Sequence, residues 1–282
     1  MNIDQLVPWQ ANFADRSPLF APLEPLLRHF ASHQQWPELA DYQQLLAAWP
    51  DTIRTLGGNT IRVVPQDDHP EQFEMHYAPR IYLSGEIQTR RHNWHDFFQF
   101  LSWFLFPQTK AIINSLHLEP ARQRYNQGIK GARSPLENML SLFDEGGAVV
   151  VSSNEQLLQM VREFRWKDLF WHHRTQLTQQ LQCFTFGHAV YEKALMPYVG
   201  MTANAILLTV DDDFFTLPLN EQLQQVDRQL AAVLQQGQQF CKPKDLHPFP
   251  ILGMPGWSDD NQQEHYYDNQ RYFRPGRRAT TG

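Results

Sequence analysis

The sequence predicts an α+β fold that is mostly helical, with a small mixed β-sheet and a C-terminal tail that wraps around the body. Segments with apolar residues at helical spacing alternate with short apolar segments typical of strands, and no regular βαβ repeat connects them. Hydrophobic residues make up 42% and aromatic residues 13% of the 282 residues, so the chain can bury a substantial core.

Two helices are predicted between residues 17 and 50. Ser17 is expected to cap the first helix, with Pro18 at its first helical position. The second helix has apolar residues at helical spacing from Leu39 onward and ends at Pro50.

The remaining elements are predicted from periodicity, capping residues and turn residues. In chain order they are short strands at 59–65 and within 74–87, the latter bent at Ala78 and Pro79; an apolar helix capped by Asn93; a helix at 109–118; a helix from Ser134 to Phe143 with a capping box to Glu137; a turn at 144–147; a buried strand at 148–152; helices over 155–182, with a break near Trp166, and over 186–196; a buried strand at 204–210; and a helix at 221–236 capped by Asn220.

The whole chain, residues 1–282, is expected to form one α+β domain. Its parts would be an N-terminal helical part (1–55), a core (60–240) and a tail rich in proline and aromatic residues (241–282). Disordered tails rarely contain so many aromatic side chains, so the tail is expected to pack on the body and to cover a pocket. Two domains divided near residue 121 are the alternative.

Charge and sequence patterns limit the classes of protein. The formal net charge of −6 argues against nucleic-acid binding by the chain as a whole. A nucleic-acid role through arginines of a loop and the tail is a minor alternative: Arg133, Arg274, Arg277 and Arg278. The two cysteines, Cys183 and Cys241, lack zinc-ligand spacing and are expected to be free thiols. No signal-peptide pattern or membrane-length apolar segment is present, so a cytoplasmic protein without membrane contact is expected.

The stretch from His92 to Asp96 supports two interpretations. If Asn93 caps the following helix, Asp96 can reach back to the Asn93 amide as in a capping box, and both residues are structural. That does not explain His95, whose imidazole beside Trp94 and other aromatic residues is expected to be desolvated and to have a lowered pKa. Neutral imidazole binds metals or acts as a general base, so the stretch also predicts a catalytic or metal-binding corner.

His188 and Glu192 are four residues apart and therefore share one face of a predicted helix. Such a pair can ligate a metal, or can combine a base with the carboxylate that orients it. A structural hydrogen bond between the two side chains is the alternative. Gly187, directly before them, allows the backbone to approach another segment closely.

Two further groups of charged residues are candidates. Asp144 and Glu145 could ligate a cation, and a solvated turn is the simpler interpretation. Lys110, Lys130 and Arg133 could hold a phosphate or carboxylate, with a solvated loop as the alternative. No motif of the serine hydrolases, zincins, Rossmann dehydrogenases or zinc deaminases occurs.

Six motifs occur in a fixed order: Asn93-Trp94-His95-Asp96, Phe106-Pro107-x-Thr109-Lys110, Phe143-Asp144-Glu145-x-Gly147, Phe186-Gly187-His188-Ala189 with Glu192-Lys193, Leu252-Gly253-x-Pro255-Gly256-Trp257 and Phe273-Arg274-Pro275. On these motifs the chain, from about residue 60 to 276, resembles the uncharacterised bacterial family called domain-of-unknown-function family 3025. The resemblance implies a bacterial protein. It implies no reaction or cofactor and assigns no catalytic residues.

The sequence therefore predicts an enzyme, with hydrolase as the expected class, whose catalytic residues are His95, Asp96, His188 and Glu192. Contacts to a small-molecule substrate are expected from Lys110, Arg133, Trp94 and Trp257. A divalent d-block ion such as zinc, iron or manganese would be held by His95, His188, Glu192, Asp144 and Glu145. The alternative is a non-catalytic small-molecule or protein-binding module with structural histidines. A joint site requires the two imidazoles to lie within about 10 Å of each other.

Overall fold

The structure is a computed structural model that describes residues 3–67, 71–129, 131 and 133–276. The described residues form eleven α-helices: α1 (Ile3–Leu6), α2 (Glu24–Leu27), α3 (Leu39–Ala48), α4 (Tyr77–Ser84), α5 (Trp94–Leu105), α6 (Pro107–Asn126), α7 (Pro135–Gly146), α8 (Glu155–Arg162), α9 (Arg174–Gln180), α10 (His188–Ala194) and α11 (Leu219–Gln236). Short helical segments lie between these helices or follow the last of them: 3₁₀ segments at Phe13–Arg16, Pro18–Leu23, Arg28–Phe30, Phe73–Met75, Asp212–Thr216, Pro243–Asp245, Ile251–Gly253, Asp259–Gln262 and Glu264–Asp268, and a π turn at Asp168–His172.

Six strands form two sheets: β1 (Arg62–Pro65), β2 (Glu86–Thr89), β3 (Gly147–Ser152), β4 (Leu181–Thr185), β5 (Thr202–Thr209) and β6 (His247–Pro250). The first sheet is the parallel pair β1 and β2. The second has the order β4-β3-β5-β6, in which β3 is parallel to β5 while β4 and β6 are antiparallel to their neighbours. The structure therefore confirms the predicted α+β class with a small mixed sheet.

The core contains two buried segments that determine where the site lies. Every residue of β3 is buried, as expected for a central strand with both faces covered. Every residue of α5 is also buried except His95, so this helix is apolar nearly all round and packs as a core helix. Its aromatic side chains contact others from the N-terminal part, including the stacked pair Trp9 and Trp94, whose ring centroids are 5.3 Å apart.

Residues 241–276 of the tail pack on the body. Its strand β6 pairs with β5, so the tail is part of the larger sheet. The hydroxyl of Tyr272 donates a hydrogen bond to the carbonyl of Met201 at 2.7 Å, and the indole of Trp166 donates to the carbonyl of Arg274 at 2.9 Å. The predicted contacts of Arg277 and Arg278 lie outside the described residues, as does Lys130.

The segment 74–87 was predicted as strand, and this is wrong for its central part. Residues Tyr77–Ser84 form α4, in which Pro79 occupies the first turn, where its missing N–H breaks no helical hydrogen bond. Gly85 ends the helix with φ +72°, the left-handed conformation that favours glycine. Only the last four residues before Arg90 form a strand, β2.

Several other boundaries differ from the prediction. The helix expected at 109–118 is longer and spans Pro107–Asn126. Strand β4 was missed because its first two residues were predicted as helix and 183–185 as no element; its pairing with β3 overrides the local pattern. The turn predicted at 144–147 does not exist, since α7 continues to Gly146 and β3 begins at the next residue. Asn220 lies inside α11, which begins at Leu219.

Candidate functional site

A polar cleft of about 690 Å³ lies between α4, α5, α6, α7 and the start of α10. It is the place where the histidines and acids predicted from separate motifs come together. Polar side chains that line it include Arg90, His95, Asp96, Gln99, Lys110, Asn114, His117, Asp144, Glu145 and His188.

The start of α5 is capped, as one interpretation of the sequence predicted. Asn93 accepts a hydrogen bond from the backbone amide of Asp96 at 3.0 Å, and Asp4 accepts one from the amide of Trp94 at 2.8 Å. The carboxylate of Asp96 does not complete a capping box. It instead accepts hydrogen bonds from Arg90, at 2.7 Å from the backbone amide and at 2.9 and 2.8 Å from the guanidinium. Asp96 is therefore occupied by an ion pair.

His95 points into the cleft and pairs with a helix far away in sequence. Its Nδ1 lies 2.9 Å from Oε2 of Glu192 on α10. Its Nε2 lies 3.0 Å from Nε2 of His188, also on α10, and the two rings are nearly perpendicular with centroids 4.3 Å apart. The two imidazoles thus meet the distance requirement for a joint site. The sequence predicted that Glu192 would act together with His188, whereas its carboxylate contacts and orients His95.

Gly187 explains how α10 comes so close to the end of α7. Its amide donates a hydrogen bond to the carbonyl of Gly147 at 2.9 Å. A Cβ atom at Gly187 would lie 2.3 Å from the carbonyl oxygen of Glu145 and 2.5 Å from the amide nitrogen of Gly147. Only glycine fits this position, in agreement with the close backbone approach predicted for it.

The two histidines have pKa values shifted in opposite directions. Burial opposes the charged form of His95, but the hydrogen bond to Glu192 and the charges of Glu192, Asp96 and Glu145 outweigh it, so the pKa of His95 is raised. The lowered pKa predicted from the neighbouring aromatic residues is wrong, because the hydrogen bond to Glu192 and the nearby carboxylate charges outweigh the desolvation. His188 is 2% exposed, and burial lowers its pKa to about 3.

These shifts define where the protons lie. When His95 is protonated, its Nδ1–H donates to Glu192 and its Nε2–H donates to the neutral ring of His188. Because its Nε2 accepts, neutral His188 carries its own proton on Nδ1, next to the backbone of Asp144. The result is a chain of Glu192, His95 and His188 in which the proton is held by the middle residue.

Lys110 and Asp144 form a second pair beside the histidines. The Nζ atom of Lys110 lies 2.6 Å from Oδ1 of Asp144, although the side chain is only 4% exposed. Burial acts to raise the pKa of Asp144, but the positive charge of Lys110 and its hydrogen bond to the carboxylate outweigh burial, and the pKa is lowered. Lys110 also lies 5.6 Å from the ring centroid of Trp103, within the range of a cation–π contact. The charge of Lys110 is thus balanced inside the protein.

Of the remaining predicted site residues, Glu145 and Arg133 line the cleft and the two tryptophans do not. Glu145 lines the cleft, and its carboxylate forms no ion pair or hydrogen bond with another described residue. Arg133 also lines the cleft and donates a hydrogen bond to Ser141 at 3.1 Å. The two predicted tryptophans do not contribute: Trp94 is fully buried and donates its indole N–H to the carbonyl of Val7, and Trp257 packs against the core away from the cleft lining.

The predicted metal-ligand set is not assembled. Within residues 3–67, 71–129, 131 and 133–276, no three His, Cys, Asp or Glu side chains are grouped so that they could hold a metal ion. Two of the expected ligands already have partners, since Glu192 accepts from His95 and Asp144 pairs with Lys110.

Several cleft residues were missed by the sequence analysis. The hydroxyl of Tyr77 accepts a hydrogen bond from Gln99, and Asn114 donates to the carbonyl of Ala78. A usable signal existed for Gln99, because a polar residue inside an otherwise apolar buried helix needs a partner. A similar signal existed for Asn114, which lies one helical turn after Lys110. Tyr77 was hidden by the assignment of its segment to a strand.

The fold and the cleft define an α+β protein with a group of paired ionisable side chains in an open polar site. The chain belongs to the family described as protein of unknown function (DUF3025), whose model matches residues 61–277. This confirms the resemblance inferred from the six motifs. No curated protein and no solved structure matches the chain. In the part of the chain that the structure describes, no helix is long and apolar enough to cross a membrane.

Proposed function

We propose that the protein is an enzyme of the hydrolase class in which His95 transfers protons to and from a small-molecule substrate in the cleft. The single observation that carries this proposal is the chain of Glu192, His95 and His188 at the cleft wall. A carboxylate on one ring nitrogen fixes the tautomer and orientation of an imidazole and stabilises its protonated form.

His188 can accept a hydrogen bond from His95 without taking the proton from it. With a pKa of about 3, His188 is a much weaker base than His95. The proton on Nε2 of His95 therefore stays on His95 and can be given to a substrate atom that displaces His188 from that nitrogen. Raised proton affinity at His95 makes it a general acid near neutral pH.

Hydrolysis also requires a group that activates water, and Glu145 is the candidate. Its carboxylate lines the same cleft without an ion-pair partner among the described residues, and its charge contributes to the raised pKa of His95. In the proposed reaction, Glu145 accepts a proton from water as the water oxygen bonds to the electrophilic atom. His95 donates its proton to the leaving group as the bond to that group breaks.

A panel of chromogenic carboxylic esters, anilides and phosphate esters tests the proposal, with the wild type and His95→Asn compared. His92→Asn is a matched control, because His92 lies in the turn directly before α5, its side chain is 56% exposed, and its φ of +53° is a conformation that asparagine tolerates. We expect hydrolysis of at least one substrate, a loss of about 100-fold or more in His95→Asn, and no loss in His92→Asn. Activity that is equal in all three proteins would contradict the proposal. Activity that requires added zinc, iron or manganese would replace it with a metal-assisted reaction.

A non-catalytic binding module is the second candidate, and a separate groove favours it. A groove of about 1200 Å³ with a more apolar lining lies between α2, α6 and α11. Its apolar residues include Leu26, Trp49, Ile53, Phe104 and Leu223. Under this alternative the histidines are structural, so His95→Asn would change unfolding temperature and leave ligand binding in the groove unaltered.

A further inference from the structure

The inner part of the cleft contains polar atoms that lack partners. The indole nitrogen of Trp103 and Oδ1 of Asn114 are buried and have no hydrogen-bond partner among the described residues, although both side chains line the cleft. Trp103 is 1% exposed and Asn114 is 6% exposed. Because buried polar groups are nearly always hydrogen-bonded in folded proteins, two such atoms beside one cavity indicate a ligand that pairs with them.

The two atoms belong to one local arrangement with Lys110. Lys110 and Asn114 are four residues apart on α6 and so face the same side of the helix. The Trp103 ring lies beside the Nζ atom of Lys110, 5.6 Å from its centroid. Asn114 donates its amide Nδ2–H to the carbonyl of Ala78 at 2.9 Å, which identifies Oδ1 as the atom left free to accept. Lys110 has one hydrogen-bond partner among the described residues, Asp144, so its ammonium has further donors.

The charges and hydrogen-bonding atoms around Trp103, Lys110 and Asn114 limit the chemical group of a ligand that can bind there. Lys110 is balanced by Asp144, so the arrangement carries no net positive charge that would favour an anion. A carboxylate would also place an acceptor oxygen against Oδ1 of Asn114, which only accepts. A group that fits must present an acceptor to Trp103 and Lys110 and a donor to Asn114, and it must be uncharged.

We propose that this inner subsite, formed by Trp103, Lys110 and Asn114, binds a carboxamide group of the substrate. The carbonyl oxygen of the amide accepts hydrogen bonds from the Trp103 indole and the Lys110 ammonium, and the amide N–H donates to Oδ1 of Asn114. The inference rests on the proposed function in taking the cleft as the substrate site, and it narrows the substrate to amide-bearing small molecules. It also replaces the anion-binding role that the sequence suggested for Lys110.

Binding of phenylacetamide, with phenylacetate as the matched anion, tests the subsite. The indole N–H signal of Trp103, assigned through its loss in Trp103→Phe, is followed in ¹H–¹⁵N spectra during titration. We expect phenylacetamide to shift this signal and phenylacetate not to, and we expect Asn114→Leu to weaken phenylacetamide binding about tenfold. No shift with phenylacetamide, or an equal shift with phenylacetate, would overturn the inference.

A second measurement separates a binding defect from a folding defect. Trp103→Phe removes an N–H that has no partner among the described residues, whereas Trp166→Phe removes one that is bonded to the carbonyl of Arg274. Both variants lose indole volume from the core, so we expect both to unfold below the wild-type temperature, and Trp166→Phe further below it because a carbonyl also loses its hydrogen bond. If Trp103→Phe unfolds as far below the wild type as Trp166→Phe does, the indole N–H has a structural partner and the subsite inference fails.

The titration is repeated in His95→Asn so that the two proposals can fail separately. Retained amide binding in that variant supports the subsite whatever the result of the hydrolysis panel. Loss of the Trp103 shift in both proteins, together with hydrolysis that depends on His95, would overturn the subsite and leave the proposed function standing.

Discussion

The Nε2 atoms of His95 and His188 lie 3.0 Å apart, although the two residues are 93 positions apart in sequence and belong to different helices. One imidazole faces an open cleft beside a carboxylate, and the other is enclosed by the core. Their pKa values consequently shift in opposite directions, and the proton between them belongs to His95. The account of the protein as an acid–base catalyst depends on this asymmetry.

Glu192→Gln should lower the pKa of His95 while the fold remains intact. The glutamine keeps the size of the side chain but removes the charge and the charged hydrogen bond that oppose the effect of burial. A ¹H titration of the histidine ring signals measures this change. Glu38→Gln is the control, since Glu38 lies near His92 and does not contact His95. An unchanged pKa of His95 in Glu192→Gln would show that the carboxylate does not govern this imidazole.

His188 should make the protein less stable in acid. Its pKa is lowered from 6.5 to about 3 in the folded state, so between these values the unfolded chain takes up a proton that the folded protein does not. Its contribution is fully present above pH 6.5 and is lost as the pH falls, by about 1.4 kcal/mol per pH unit at most. Denaturant unfolding of the wild type and His188→Gln across this range should show a flatter pH dependence for the variant. Parallel curves would contradict the assignment.

His95 should affect stability in the opposite sense. Its folded-state pKa is raised, so its contribution is fully present below the unfolded value near 6.5 and is lost as the pH rises through the folded value. Comparing His95→Asn with His92→Asn by unfolding at several pH values isolates this contribution. The stability difference between the two variants should shrink as the pH rises, and a difference that grows with pH would have the wrong sign.

Lys110→Met should destabilise the fold strongly. It leaves the carboxylate of Asp144 in the protein without its ammonium partner, a change that costs about 3 kcal/mol or more. Adding Asp144→Asn to Lys110→Met should recover much of the loss, because the unpaired charge is then removed. Urea unfolding of the single and double variants gives the comparison. A double variant that is no more stable than Lys110→Met would mean that the loss comes from packing of the lysine stem instead.

Gly187→Ala should separate α10 from the end of α7. The added Cβ would lie 2.3 Å from the carbonyl oxygen of Glu145, so the backbone must move, at a cost of about 1–3 kcal/mol. Gly146→Ala is a matched control, because its Cβ would meet only the side-chain nitrogen of Asn204, at 3.1 Å. Near-ultraviolet spectra and thermal unfolding should show a large change for Gly187→Ala and a small one for Gly146→Ala. Equal changes would rule out the role given to the close approach.

The sequence was sufficient for features that depend on local pattern. The cap at Asn93, the capping box at Ser134 and the buried strand β3 all follow from side-chain chemistry at adjacent positions. The sequence also identified His95 as the residue that a capped core helix leaves unexplained, and the structure shows it as the one partly exposed residue of α5.

Features that depend on tertiary contact could not be predicted from one sequence. The spacing of His188 and Glu192 shows that they share a helix face, but it cannot show that the carboxylate bonds to an imidazole on α5. For the same reason the direction of the pKa shift at His95 was predicted wrongly, since the effect of Glu192 on α10, together with Asp96 and Glu145, outweighs the expected desolvation. The unpaired indole of Trp103 is likewise visible only once the cleft is formed.

The most direct test of the central claim is a long-range ¹H–¹⁵N spectrum of the histidine rings recorded from pH 5 to 9. It reports the protonation state and tautomer of each imidazole. The account predicts that His95 keeps protons on both nitrogens to a higher pH than the ordinary histidine value of 6.5, while His188 stays neutral throughout. A protonated His188, or a His95 that is already neutral at the acidic end of this range, would contradict the proposed chain of Glu192, His95 and His188.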